Sequence, residues 1–351
     1  MRTQAAEERD QNDIKSNAQT DQLGRELAYL RISLTDQCNF RCTYCMPAHI
    51  FNNGYNYIPR SDYLSFEEIA RLAHVLAGMG VRKIRLTGGE PLMRLGVERL
   101  VEMLIPIPGI DEVTMTTNGY LLARKAAVLK RAGLSRLNVS LDSLDPDIFR
   151  VMNGGRAELQ DVLEGLDAAE EAGFKSIKIN AVVKRGVNDH GIVDLAIHFR
   201  ERGHTVRFIE YMDTGTVTDW HIDQVVTADE MIAMIHERAP IEPLPPRRED
   251  DVARRYRFVD GVGEVGFITS VSDPFCGGCT RLRLTADGKI FTCLFGVVGH
   301  DLRKLVIEGA TDDDILEFIS KVWRRRSDRY SEVRSQINIP LKKVEMNRVG
   351  G

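Results

Sequence analysis

The sequence predicts an α/β fold: a partial TIM-like barrel of six β/α units, (β/α)6, followed by a smaller C-terminal α+β extension. Three observations predict it. Short β-branched runs alternate with longer amphipathic segments from Tyr29 onward, six such couplets precede about residue 215, and beyond Trp220 the alternation gives way to paired strands and separate helices. Parallel strands with right-handed helical crossovers build an open sheet or a barrel. Six units fall short of the eight that close a full barrel.

The run YLRISL opens the first unit and passes to the helical pattern SFEEIARLAHVLAGMG. Further strands are expected over Val81–Thr87, Glu112–Asn118, Ser135–Asp142, Lys175–Val183 and Thr205–Met212. Each gap between them holds an amphipathic segment such as LLARKAAVLKRAG, and several end in the glycine that stops a helix. After Trp220 come a helix (ADEMIAMIHERA), a segment read as a proline-rich linker (PIEPLPPRRED), and strand pairs around RRYRFV, EVGFITSV and RLRLTADGKIFTCL. Asp287 and Gly288 mark a hairpin between two alternating runs. DLRKLVIEGA and TDDDILEFISKVWRRRS close the pattern, the second with a Thr cap, acidic first turn and basic end. The expected organisation is a disordered leader over 1–24, the partial barrel over 25–220, a C-terminal region over 221–349 and a diglycine tail, Gly350 and Gly351.

Composition narrows the function classes. With 43% hydrophobic and 28% charged residues in 351, the chain can bury a large core, so a disordered or fibrous protein is excluded. A net charge of −4 supplies no global basic field for nucleic acid or an anionic membrane, so an anionic ligand must be met by local cations. No apolar run approaches the roughly 18 residues that span a bilayer, and the polar start lacks the apolar centre of a secretory signal. A reducing cytoplasmic setting is therefore expected. Six cysteines are too few for a disulfide scaffold, yet they fall into two groups of three.

The first group, CNFRCTYC, places Cys38, Cys42 and Cys45 in a C-x3-C-x2-C spacing just after the first strand. Three thiolates on a four-iron cube leave one iron open to an outside ligand. Structural zinc completed by His49 is the alternative on spacing alone. This triad, joined to LTGGEP at the end of the second strand, resembles the radical S-adenosylmethionine (SAM) superfamily. The resemblance implies a partial barrel of that type, a [4Fe-4S] cluster whose open iron chelates the methionine part of SAM, and reductive cleavage to a 5′-deoxyadenosyl radical. Glu90 of the GGEP run could meet the ammonium of the bound amino acid.

The second group gives Cys276, Cys279 and Cys293 in C-x2-C-x13-C, and no further cysteine remains to complete a zinc ribbon; His300 is poorly spaced for it. Arg281 and Arg283 follow at alternate strand positions, so both face the same side; this suits multidentate phosphate recognition, with ordinary surface arginines as the alternative. With TTNG, FIEYM and the terminal diglycine, this pattern resembles the GTP 3′,8-cyclase family, also known as the molybdenum cofactor biosynthesis protein A family. The resemblance covers about Leu23 to Gly351 and implies a second, substrate-binding [4Fe-4S] cluster on Cys276, Cys279 and Cys293. It places Tyr44, Gly89, Ser140 and Met212 in the SAM pocket. By the same resemblance GTP would be met by Arg31, Arg85, Thr116, Lys178, Arg281 and Arg283, and Gly350 and Gly351 would reach the active site.

The activity so implied is a lyase reaction that opens molybdenum cofactor biosynthesis. The radical takes the ribose C3′ hydrogen of GTP and C3′ then bonds to C8, giving (8S)-3′,8-cyclo-7,8-dihydroguanosine 5′-triphosphate. A reducing electron donor, a homodimer and the downstream cyclic pyranopterin monophosphate synthase complete the expected partners. The competing readings are a twin-cluster radical SAM enzyme acting on a peptide or tetrapyrrole, and a non-catalytic iron-sulfur or zinc protein.

Overall fold

Six parallel strands occur in the expected order in a computed structural model that describes residues 19–248, 251–334 and 343–351. They are β1 (Tyr29–Ser33), β2 (Lys83–Thr87), β3 (Glu112–Thr117), β4 (Arg136–Ser140), β5 (Lys178–Val183) and β6 (Thr205–Glu210). The crossovers carry α1 (Phe66–Gly78), α2 (Val97–Leu104), α3 (Leu122–Arg131), the pair α4 (Pro146–Met152) and α5 (Leu159–Glu171), and α6 (Ile192–Glu201). Local chemistry sets their ends. Ser65 caps α1 by accepting from the Glu68 amide at 3.0 Å, while Glu68 accepts from the Ser65 amide at 2.6 Å. Alternation then sorts the strand faces: Leu30 and Ile32 are buried in the core with Leu72 and Leu76 of α1, while Tyr29 and Arg31 line the interior cavity.

The extension does not stand apart from this sheet. After α7 (Ala228–Arg238), strands β7 (Ile241–Leu244), β8 (Arg254–Phe258), β9 (Glu264–Ile268), β10 (Arg281–Leu284), β11 (Lys289–Phe291) and β12 (His300–Asp301) extend both of its edges. The order is β12-β11-β10-β1-β2-β3-β4-β5-β6-β9-β8-β7 in one sheet of twelve strands. β10 pairs parallel with β1 and β9 parallel with β6, so the extension supplies the flanks that six units alone lack. The sheet stays open, with β7 and β12 at its outer edges. Helices α8 (Arg303–Ile307), α9 (Asp312–Arg324), α10 (Tyr330–Val333) and α11 (Met346–Val349) complete the described chain.

Two expectations change. The proline-rich linker contains β7, which pairs antiparallel with β8; Pro243 is tolerated because this is an edge strand. The leader boundary at residue 24 falls too late. Thr20 bridges to Glu26, and Asp21 is buried because Arg25 and Arg326 both reach its carboxylate. Residues 1–18 of the leader lie outside the described residues. Among the described residues no helix is long and apolar enough to cross a membrane.

Candidate active site

The two cysteine groups lie at opposite ends of the parallel strands. Cys38, Cys42 and Cys45 follow β1 at its C-terminal end. Cys276 and Cys279 precede β10, and the register pairs Arg281 with Tyr29, so the second group sits at the N-terminal end. Cys293 joins it by following β11, which runs antiparallel to β10. Only the first group therefore lies at the strand C-terminal ends, where the sequence directs the search for chemistry. A cavity of about 350 Å³ joins the two ends, and all six cysteines line it.

At the first end, the GGEP segment packs directly on the cysteine loop. A Cβ at Gly89 would run into the Gln37 carbonyl, and the Gly89 amide donates to the Thr35 carbonyl at 2.7 Å. Glu90 is almost fully buried. It accepts from the Thr117 hydroxyl at 2.8 Å and from the Asn118 and Leu92 amides at 2.7 and 3.0 Å. Burial pushes its pKa up to about 7 against these hydrogen bonds. This carboxylate, expected at the SAM ammonium, thus also fixes the loop that carries TTNG. The Tyr44 hydroxyl donates to Asp142 at 2.9 Å, and Ser140 and Met212 line the same wall. Burial pushes the Cys38 thiol up to about 12, with Glu90 adding to the shift, and lifts Cys42 and Cys45 as well. Such thiols become thiolates only with a positive partner, which is what an iron cluster provides.

At the second end, Arg25 donates to the Cys276 carbonyl at 2.9 Å and Arg326 to the Cys279 carbonyl at 2.7 Å. Arg281 Nε lies 3.2 Å from Cys279 Sγ. Burial raises the Cys279 pKa, but Arg281 and Arg326 outweigh it and bring it down to about 6. Among the described residues no three or more His, Cys, Asp or Glu side chains gather closely enough to hold a single metal ion. Zinc would need its donors nearly in contact, at Zn–S distances of about 2.3 Å. His49 lines a different cavity beside Arg41 and Lys184, and His300, on β12 opposite Ile290, is not among the residues lining the cavity that the cysteines share.

Between the two ends the interior is strongly basic. Arg31, Arg85, Thr116 and Lys178 line it; Arg31 and Arg85 are mid-strand rather than near strand ends, while Lys178 opens β5 and Thr116 stands one residue before the end of β3. The sequence reading missed Lys83, Arg207 and Tyr29, which line the same stretch. Their signal was strand alternation, since Lys83 and Tyr29 each stand two residues before an assigned arginine. Like charges crowd here without enough carboxylates. Burial, then Arg207 and other cations, bring Lys178 down to about 7; burial and Arg85 bring Arg207 to about 9. Arg283 donates to the carbonyls of Val349 and Gly350, and Gly351 lines the cavity, so the tail does reach this interior.

Sequence comparison identifies two segments. The radical SAM superfamily profile matches residues 32–198 and the Molybdenum Cofactor Synthesis C profile matches residues 204–332. A GTP 3′,8-cyclase of Acidothermus cellulolyticus is 53% identical over 90% of this chain and 88% of its own length. The chain belongs to the GTP 3′,8-cyclase family. A Xanthomonas campestris relative of that name is 46% identical over 97% of this chain and 99% of its own. Another from Staphylococcus epidermidis is 43% identical over 94% and 98%. The fold is also that of Streptococcus suis SuiB bound to precursor peptide SuiA, with a TM-score of 0.58 at 19% identity over 95% of this chain and 71% of that one. Membership of the radical SAM superfamily brings a [4Fe-4S] cluster and SAM, and the buried triad beside GGEP suits that pair.

Proposed function

We propose that this chain is a GTP 3′,8-cyclase that makes (8S)-3′,8-cyclo-7,8-dihydroguanosine 5′-triphosphate, the first step of molybdenum cofactor biosynthesis. One observation carries the reading: a single cavity has a cysteine triad at each end and a basic stretch between them. On this reading Cys38, Cys42 and Cys45 hold the cluster that binds SAM, and Cys276, Cys279 and Cys293 hold a second [4Fe-4S] cluster that binds the guanine. When bound, the first cluster and SAM supply one-electron cleavage and a radical able to take a hydrogen atom.

The chain's own residues position the substrate. A triphosphate carries about four negative charges, and Arg31, Arg85, Lys178 and Arg281 offer opposing charges at short range inside a chain of net charge −4. Thr116 adds a hydroxyl, and Arg283 shares its guanidinium with the tail carbonyls. Tyr44, Gly89, Glu90, Ser140 and Met212 shape the SAM end. Holding C3′ near the radical source in this way can lower the barrier by roughly 7 to 11 kcal/mol. Gly351 enters the cavity without a side chain to fill it, and Gly350 anchors the tail through its carbonyl contact to Arg283. The resemblance supports a cytoplasmic homodimer, supplied by an external electron donor and passing its product to cyclic pyranopterin monophosphate synthase. It also supports the division into barrel and C-terminal region.

The test is anaerobic reconstitution followed by SAM, reductant and GTP deuterated at C3′. About eight irons per chain, with deuterium recovered in 5′-deoxyadenosine, is the expected result. Deoxyadenosine formed with a peptide and never with GTP overturns the reading.

A further inference from the structure

Tyr29 stands on β1 at the inner end of the basic stretch, paired in register with Lys83 on one side and Arg281 on the other. The charged ends of Arg31, Lys83 and Arg85 lie 5.6, 5.5 and 5.4 Å from the centre of its ring. An aromatic face attracts cations, so the ring holds three like charges around one point. The hydroxyl, however, is buried and has no hydrogen-bond partner. Buried phenols nearly always have one, and an exception calls for a physical reason.

The surroundings specify what is missing. The nearby groups are guanidinium and ammonium donors, which leave the phenolic proton without an acceptor. Glu112, a carboxylate on β3 beyond β2, is already held by Lys83 at 2.9 Å and by Arg136 at 2.5 Å. An anion with several acceptor oxygens, seated between Arg31 and Arg85, would satisfy the hydroxyl and the cations together. A carboxylate has two such oxygens; an oligophosphate has enough for all four groups.

We propose that Tyr29 is a phosphate-recognition residue, its hydroxyl donating to a phosphate oxygen of the nucleotide that Arg31, Lys83 and Arg85 hold. This rests on the reading of the cavity as a GTP site. The hydroxyl adds a directional donor where further positive charge would only increase repulsion. It therefore favours a polyphosphate chain threaded past the ring over a nucleoside or a lone carboxylate.

The test is calorimetry on the reconstituted protein, with GTP, inorganic tripolyphosphate and guanosine as probes. Tyr29→Phe keeps the ring and removes the donor. It is expected to weaken GTP and tripolyphosphate about tenfold, the size of one charge-assisted hydrogen bond, and to leave guanosine unchanged. KM for GTP rises by a similar factor, with kcat within about twofold. A second readout keeps the native donor: with 3-fluorotyrosine at position 29, tripolyphosphate shifts the fluorine resonance. Equal affinities for Tyr29→Phe and the native chain, or an unmoved resonance, overturn the inference. If the native chain cyclises GTP with the same KM as the variant, the inference falls and the GTP reading stands. If tripolyphosphate binding weakens in the variant while GTP is never cyclised, the inference stands and that reading falls.

Discussion

Arg25 donates from Nη1 to the carbonyl of Cys276 at 2.9 Å across 251 residues of sequence. The contact ties the segment just before β1 to the second cysteine group. Its counterpart is Arg326, which donates to the Cys279 carbonyl, and Asp21 accepts from both arginines at 2.6 and 3.1 Å. One buried carboxylate thus aligns two guanidiniums beneath the loop that would hold the second cluster.

Asp21→Asn removes the charge while preserving shape. Buried Arg25 then loses its counter-ion and Arg326 keeps only Asp328, at 3.5 Å, a loss of about 3 to 5 kcal/mol by analogy with broken buried pairs. The reconstituted variant is expected to bind about four irons instead of about eight, with the SAM-perturbed signal of the first cluster unchanged in electron paramagnetic resonance. Full iron content would sink the idea. The pH dependence has a definite sign. Burial raises the Asp21 pKa, but the Arg25 and Leu23 amides and the Arg25 guanidinium outweigh it and hold it below the usual value. Its stabilisation is fully present above the ordinary carboxylate pKa of about 3.9 and is lost as pH falls through the lower folded value.

Gly350→Ala tests the tail. Gly350 has φ of +72°, and a Cβ there would collide with the Thr87 side chain and stand 2.9 Å from Ser33 Oγ. The carbonyl contact to Arg283 cannot survive that displacement. Cyclisation is expected to drop at least tenfold with iron content intact. Turnover equal to the native chain would show that the tail's position is irrelevant.

The parallel core was legible because alternation on Leu30, Ile32 and their equivalents reports which face of a strand is buried. Both cysteine groups were legible from local spacing. What the sequence hid was long-range. Nothing near Asp21 announces Arg326, 305 residues away, so residues 19–24 read as leader. Nothing in RLRL announces that β10 adds to β1, the pairing that brings Arg281 beside Tyr29. Because the extension closes onto both edges, the cavity runs through the sheet's interior, and residues such as Lys83 and Arg207 count through mid-strand positions that end-of-strand reasoning passes over.

Replacing one cysteine in each group tests their proposed roles separately. Cys293→Ser is expected to keep the first cluster and its SAM-dependent spectrum, lose about four irons, and abolish the spectral response to GTP. Cys42→Ser is expected to do the reverse, keeping the GTP response and losing the SAM one. A GTP response that survives in Cys293→Ser would place the nucleotide elsewhere.

Lys178 gives the pH prediction that bears on binding. Burial, then Arg207, Arg136, Lys83 and Arg85, bring its pKa to about 7, so at pH 8 the ligand-free ammonium is mostly deprotonated. A triphosphate placed among these cations restores the proton, and binding at pH 8 should take up close to one proton per chain. Affinity therefore falls as pH rises from about 7 toward the higher pKa of the complex, by up to about tenfold per pH unit. Folding runs the other way. The unfolded chain keeps this proton up to about 10.4, so between about 7 and that value it binds more protons than the folded state, and the ligand-free protein gains stability with rising pH. Calorimetric titration of GTP at pH 8, in two buffers of different ionisation enthalpy, measures the uptake directly. Lys178→Met should abolish the buffer dependence, and a native chain without it would show that Lys178 does not meet the triphosphate.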